Sequence, residues 1–234
     1  MKYKTIGILG GMGPEASAKL YLEIIRIFQN KFGAKYDDDF PEIFIYNLPL
    51  PDVVENSSVR NIVKDRLIYG VRKLEKIGAD FIVVPCNTVE TYFNDLRNSV
   101  DVPVISIVNE IFKSFGNLKL GLIATEKTIE QGIYSKRFYD VIIPNKEDQK
   151  ITTRIIMNIL SGKFFDKDRE RLVKIVNKMK KSGAAKVILG CTDLPLLLTS
   201  KNTIDTIKVL AEAAVRETQN LINNKTITES EQYD

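Results

Sequence analysis

Apolar residues in this chain come in short unbroken runs separated by longer amphipathic stretches, and the alternation is regular along its length. TIGIL at 5–9 reads as a strand, 14–32 as a helix and EIFIYNL at 42–48 as a second strand. A helix over about 59–77 precedes a third strand, DFIVVP at 80–85. PVISIV at 103–108, KLGLIA at 119–124 and KVILG at 186–190 read as further strands, each followed by helical periodicity. Such β-branched runs without alternation suit strands covered on both faces, as in parallel sheets. The expected fold class is α/β, with mostly parallel sheets and helices on both sides.

One unit occurs twice. VRKLEKIGADFIVVPCNT (71–88) aligns with VNKMKKSGAAKVILGCTD (176–193) at a constant offset of 105 residues, without a gap. Val71 matches Val176, Lys73 matches Lys178, Gly78-Ala79 matches Gly183-Ala184 and Cys86 matches Cys191. Two similar α/β halves are expected, 1–104 and 105–202. A helix over 203–222, entered through TIDT, is expected to return to the first half, and 223–234 reads as a frayed polar tail.

Composition narrows the chemistry. With 34 basic and 30 acidic residues dispersed along 234, the net charge is +4 and no basic stripe forms, so nucleic acid is not an expected partner. The first residues, MKYKTIGIL, run straight into a strand, and no run is long enough to span a membrane. No signal peptide and no membrane partner are expected, and the chain is read as cytoplasmic. There is no histidine, which removes the commonest general base and metal ligand. The two cysteines cannot make a four-thiolate metal site, and the acidic loop KYDDDF (35–40) reads as solvated. No metal is expected.

Each cysteine falls at the carboxyl end of a buried strand, the edge where open α/β sheets bind ligands. Asn87 and Thr88 follow Cys86, and Thr192 and Asp193 follow Cys191. These residue types suit a helix amino terminus, whose free N–H groups bind anions and whose dipole favours a thiolate. Two halves face to face would set two acidified thiols on opposite sides of one small anion. That arrangement suits inversion of a stereocentre, with one thiol as base and the other as acid. Fixed N–H donors would stabilise the charge that develops on the substrate carboxylate. A buried apolar thiol, a disulfide and a redox pair are the plainer uses of cysteine. The matched addresses favour a working pair.

Four motifs in order, GILGGMGPEA (7–16), VPCNT (84–88), GLIATEKTIEQGIY (121–134) and GCTD (190–193), resemble the cofactor-independent aspartate/glutamate racemase superfamily over about residues 4–220. The aspartate racemases are the most similar branch. The resemblance implies two pseudo-symmetric α/β domains with the active site between them, usually in a homodimer. It implies catalysis by two cysteines without pyridoxal phosphate, metal or other cofactor, on a small amino-acid substrate. Carried over by motif, Cys86 and Cys191 are the acid/base pair, and Asn87, Thr88 and Thr192 hold the substrate carboxylate and amino group. Asp193 is counted with the substrate-binding set. Thr125 is assigned equally to substrate contact and to capping a helix at 128–140, and Tyr134 to the core.

Gly11-x-Gly13-x-x-Ala16 is also a minimal dinucleotide fingerprint. Such a fingerprint needs an acidic residue at the end of the next strand, and that strand ends in Asn47-Leu48-Pro49. The glycines are instead expected to bring the backbone close to the substrate, with Met12 pointing into the cleft and Pro14 starting the helix.

Glu90 stands where the resembling family commonly has histidine, and Asp193 where it frequently has glutamate. Val53 and Leu160 occupy positions that are often Arg and Lys in members acting on aspartate. A buried distal carboxylate would then lack a partner, at high cost. Lys127 and Lys163 are the candidate replacements. Aspartate is the expected substrate on resemblance. Another amino acid is the alternative, as is a maleate-type isomerase or hydantoin-type racemase, and last a non-catalytic binding protein.

Overall fold

The structure, a computed structural model, describes residues 3–51 and 60–219. The first half runs β1 (Ile6–Gly10), α1 (Pro14–Phe32), β2 (Ile43–Asn47), α2 (Arg60–Lys76), β3 (Phe81–Val83), α3 (Phe93–Arg97), β4 (Val104–Ile105) and α4 (Ile107–Phe115). The second runs β5 (Leu120–Ile123), α5 (Glu126–Glu130), β6 (Val141–Ile142), α6 (Lys146–Leu160), α7 (Asp166–Lys181), β7 (Lys186–Leu189), α8 (Leu194–Leu197) and β8 (Thr203–Asp205), and α9 (Thr206–Thr218) follows. Two four-stranded sheets result, in the orders β2-β1-β3-β4 and β6-β5-β7-β8. Every pairing is parallel. The orders superimpose strand for strand, as the internal repeat requires.

Alternation of side chains across the strands distributes the core into three layers. Ile6 and Ile8 of β1 and Leu120 and Leu122 of β5 face a shared central core. That core is filled by Leu20, Ile24 and Phe28 of α1, Ile107 and Ile111 of α4, and Ile207, Leu210 and Ala214 of α9. On the outer face of the first sheet, Leu9 and Ile82 pack on Leu67, Val71 and Leu74 of α2. On the outer face of the second, Ile123, Val187 and Leu189 pack on Ile155 and Ile159 of α6 and Leu172 and Ile175 of α7. Cys86 belongs to the first outer layer and Cys191 to the second. The central strands are buried on both faces, whereas β2 and β6 at the sheet edges are only partly covered.

Several elements depart from the sequence reading. Only Val104–Ile105 of the run 103–108 is strand. Ser106 accepts a hydrogen bond from Asn109 N–H and caps α4, so the apolar Ile107 and Val108 belong to a helix. The helix expected over 128–140 is α5 alone, because Thr125 caps it earlier and the poor helix former Gly132 lies just past its end. β6 and β8 are too short to register as apolar runs. TID at 203–205 pairs with β7 in the second sheet, so the last helix begins at Thr206. That helix packs on α1 and α4. Asp205 accepts from the N–H groups of Ile207 and Lys208 at the start of α9 and pairs with Lys19 of α1 at 2.6 Å. The 223–234 tail and Val53 lie outside the described residues. Among those described, no helix is long and apolar enough to cross a membrane.

Gly78 and Gly183, matched in the repeat, have φ of 103° and 98° at the turns that follow α2 and α7. A Cβ on Gly78 would meet open space and one on Gly183 would make only an ordinary contact with the Lys119 side chain at 4.0 Å, so backbone strain is what opposes a side chain. Gly78→Ala and Gly183→Ala should therefore each destabilise the protein by a similar amount, about 1–2 kcal/mol. Urea unfolding midpoints of the two variants check this, and a clear inequality would show that the turns are not equivalent.

Candidate functional site

Both cysteines follow the ends of central strands. β3 ends at Val83, and Val84-Pro85 carries the chain to Cys86 before a 3-10 turn over Thr88–Tyr92. β7 ends at Leu189, and Gly190 carries it to Cys191 before the single turn of α8. The loop after β1, Gly11 to Pro14, forms the third side. Gly11 has φ +102° and lies against the Leu48 backbone, where a Cβ would stand 2.5 Å from the carbonyl oxygen. Its N–H donates to Ser17 Oγ at 3.0 Å, which in turn donates to the Gly13 carbonyl at 3.1 Å. The close approach is therefore to protein: a Cβ on Gly13 would stand 3.3 Å from Asp193 Oδ1, across the cleft.

These segments enclose a cavity of about 220 Å³ lined by Met12, Cys86, Asn87, Thr88, Thr125, Cys191, Thr192 and Asp193. All eight residues singled out in the sequence meet in it. Leu50, Pro51, Ile156 and Leu160 complete the walls. Sequence reasoning does not select the first three, whose only signal is apolarity. A larger cavity of about 1050 Å³ lies beyond the 88–97 segment, lined by charged groups including Arg60, Glu90, Arg97, Lys127 and Arg137, and holds neither thiol.

Hydrogen bonds fix the polar side of the smaller cavity. Tyr134, fully buried, donates its OH to Asn87 Oδ1 at 2.5 Å, and Asn87 Nδ2 donates to Thr206 Oγ1 at 3.2 Å. Thr206 in turn donates its hydroxyl to the Leu189 carbonyl at 3.2 Å. Tyr134 is thus core, as expected, and also the residue that orients Asn87. One Asn87 N–H is left for a ligand by this pairing. Thr88, Thr125 and Thr128 form a buried hydroxyl triangle with edges of 3.4, 3.0 and 2.9 Å. Thr125 Oγ1 also accepts from Thr128 N–H, so its capping role is real and leaves it in the cavity wall.

The electrostatics reverse one expectation. Burial pushes the Cys86 thiol up to about 11, more than the N–H groups of Val89 and Thr88 bring it down. Burial likewise raises Cys191, and the neighbouring Asp193 carboxylate adds to the rise. Both thiols are therefore held protonated near neutral pH and not acidified, because burial outweighs the backbone N–H donors beside them. Cys191 Sγ donates to Asp193 Oδ2 at 3.6 Å. Burial raises the Asp193 carboxyl as well. Among the described residues no cluster of side chains has a metal-binding arrangement.

Glu90 does not contact the cavity between the thiols. It accepts from Ser106 Oγ at 2.7 Å and from Ile107 N–H at 2.6 Å, holding the amino terminus of α4. Burial pushes its carboxyl up to about 7 despite these donors. Lys127 lines the larger cavity and Lys163 is exposed, so neither stands at the thiols.

A carboxyl raised in the folded state stabilises the protein fully below its unfolded value near 4.5, and that contribution is lost as pH rises through about 7. Wild type should therefore lose stability relative to Glu90→Gln between pH 5 and 8, read from urea midpoints at several pH values. A pH-independent difference would mean that Glu90 stays ionised throughout.

A family model described as Asp/Glu/Hydantoin racemase matches residues 9–214. The broad specificity amino-acid racemase RacX of Bacillus subtilis is 37% identical over 133 residues, 56% of this chain and 59% of that protein's length. A glutamate racemase of Persephonella marina is 31% identical over 190 residues, covering 74% of this chain and 71% of its own. The crystal structure of an aspartate racemase homologue from Pyrococcus horikoshii superimposes with a TM-score of 0.76 at 29% identity, covering 92% of this chain and 98% of that one.

Proposed function

The chain belongs to the Asp/Glu/Hydantoin racemase family, and from that premise we propose that it interconverts the enantiomers of an amino acid by proton transfer between Cys86 and Cys191. The observation that carries the proposal is that the two cysteines follow equivalent strands of two equivalent sheets and face one cavity of about 220 Å³. An α-carbon held there stands between two thiols contributed by opposite halves. Both come from one chain, so the homodimer implied by resemblance is not needed to complete the pair.

Protonated thiols supply the acid directly, while the base has to be generated. Asp193 already accepts the Cys191 S–H hydrogen bond, and its raised carboxyl makes it a better proton acceptor than an ordinary aspartate. Moving that proton to Asp193 leaves a thiolate on Cys191. The thiolate takes the α-proton and Cys86 delivers its own to the opposite face, so one S–H is made and one is broken. The reverse reaction begins with the roles exchanged. The substrate ammonium, brought next to buried sulfur, favours the thiolate in either direction. The remaining Asn87 N–H and the threonine hydroxyls of the cavity wall would hold the carboxylate as charge moves onto it, while the N–H groups of Thr88, Val89 and Asp193 serve the sulfur atoms.

The assay is α-proton exchange in D₂O with chiral analysis of the product. Cys86→Ser and Cys191→Ser should each lower turnover by about 10²–10⁴-fold, the range of a lost general acid or base. Near-native turnover in either variant would exclude the two-thiol scheme. Asp193→Asn should lower kcat, since the Cys191 proton then has no carboxylate to go to, and should move the acidic limb of the pH profile, which reports loss of that proton, downward as the charge that raises Cys191 is removed. An unchanged profile would remove Asp193 from the chemistry.

A further inference from the structure

The walls between the thiols are informative for the charge they lack. Among the described residues, the ionisable side chains lining the cavity are Cys86, Cys191 and Asp193, with no lysine or arginine. The segment after Pro51, DVVENSSV at 52–59, contains no basic residue in its sequence. The first cation beyond it, Arg60, lines the larger cavity instead.

Beside the neutral polar groups of Asn87, Thr88, Thr125 and Thr192, the lining has an apolar wall made by Met12, Leu50, Pro51, Ile156 and Leu160. Leu160 is the last residue of α6, and its Cδ2 lies 3.4 Å from where a Cβ on Gly13 would stand. It therefore bridges the gap between the second half and the loop after β1. A distal carboxylate placed among these groups has no cation to pair with and meets the like charge of Asp193. Asp193 and the threonine hydroxyls suffice for the ammonium and carboxylate common to all amino acids. What remains for the side chain is the apolar wall.

We infer that the site takes neutral amino acids with an apolar side chain, and that Leu160 is a specificity-determining residue that excludes acidic ones. The inference rests on the racemase reading for its chemistry but not for its binding selectivity, and the two separate experimentally. Leu160 is 44% exposed, so a polar replacement there does not bury a charge in the core.

Exchange of the α-proton in D₂O is measured for wild type, Leu160→Lys and Leu160→Gln with alanine, leucine, methionine, aspartate and glutamate, alongside calorimetric binding of each. For wild type, kcat/KM for the best apolar substrate should exceed that for aspartate or glutamate at least tenfold. Leu160→Lys should shift the ratio toward the acidic substrates at least tenfold, and Leu160→Gln, polar but uncharged, should not. If exchange occurs but wild type prefers aspartate or glutamate, or if Leu160→Lys leaves the ratio unchanged, the substrate class falls and the racemase reading stands. Binding of the apolar amino acids with the same Leu160 dependence but no exchange would keep the selectivity and remove the racemase reading. Neither binding nor exchange with any of the five overturns both.

Discussion

The burial of one face of each sheet against a single shared apolar layer is the interaction on which the rest of this structure depends. Helices α1, α4 and α9 fill that layer, with Leu20, Ile24, Phe28, Ile111, Ile207 and Leu210 all withdrawn from water. Apolar contact is non-directional and does not by itself fix how two sheets are oriented. Polar links across the join do so. Tyr134 and Asn87, Asn87 and Thr206, and Lys19 and Asp205 each connect residues far apart in sequence. The hydroxyl of Thr88 in the first half meets those of Thr125 and Thr128 in the second. Several of these links are buried, where a lost partner costs more than at the surface. The edges carrying Cys86 and Cys191 are thereby held facing one another.

Backbone symmetry coexists with chemical asymmetry. Thr88 and Asp193 occupy equivalent places in the repeat, 105 residues apart. One is tied into a neutral hydroxyl cluster, while the other is a carboxylate bonded to a thiol. The scaffold is thus duplicated and the charge is not. A two-sided reaction on an amino acid requires this, because the substrate itself is not symmetric: its ammonium and carboxylate need different partners.

The fold is largely legible in the sequence because the repeat, the buried strands and helix α1 are written in continuous apolar runs. The start of α4 is hidden because Ile107 and Val108 are as β-prone as the strand before them, and only the Ser106 cap reveals the helix. Strands of two or three residues such as β6 and β8 carry no periodicity to detect. At the candidate site, residue identity and address are enough to gather Met12, the two cysteines and the polar residues beside them. The protonation of the thiols is not legible, since burial is a property of the assembled layers, whereas the local motif shows only the N–H donors that burial outweighs. The tethering of Asn87 by Tyr134 is likewise hidden, because it joins positions 47 residues apart. The task of Glu90, capping a neighbouring helix, emerges only from the position of α4.

The path of the chain between the halves has a mechanical consequence. Among the described residues it crosses once through α4, after β4, and returns once at Asp205–Thr206, where β8 gives way to α9. The two connecting helices lie together: α4 packs on α9, and Glu110 of one is ion-paired to Arg216 of the other. Two adjacent tethers act as a door hinge does. Twisting and sliding of one half past the other are resisted, and the compliant movement is rotation about the line joining the tethers. Such a joint would favour one direction of movement over the others, so that a cleft opened along it would close with its two cysteine-bearing edges in the same register.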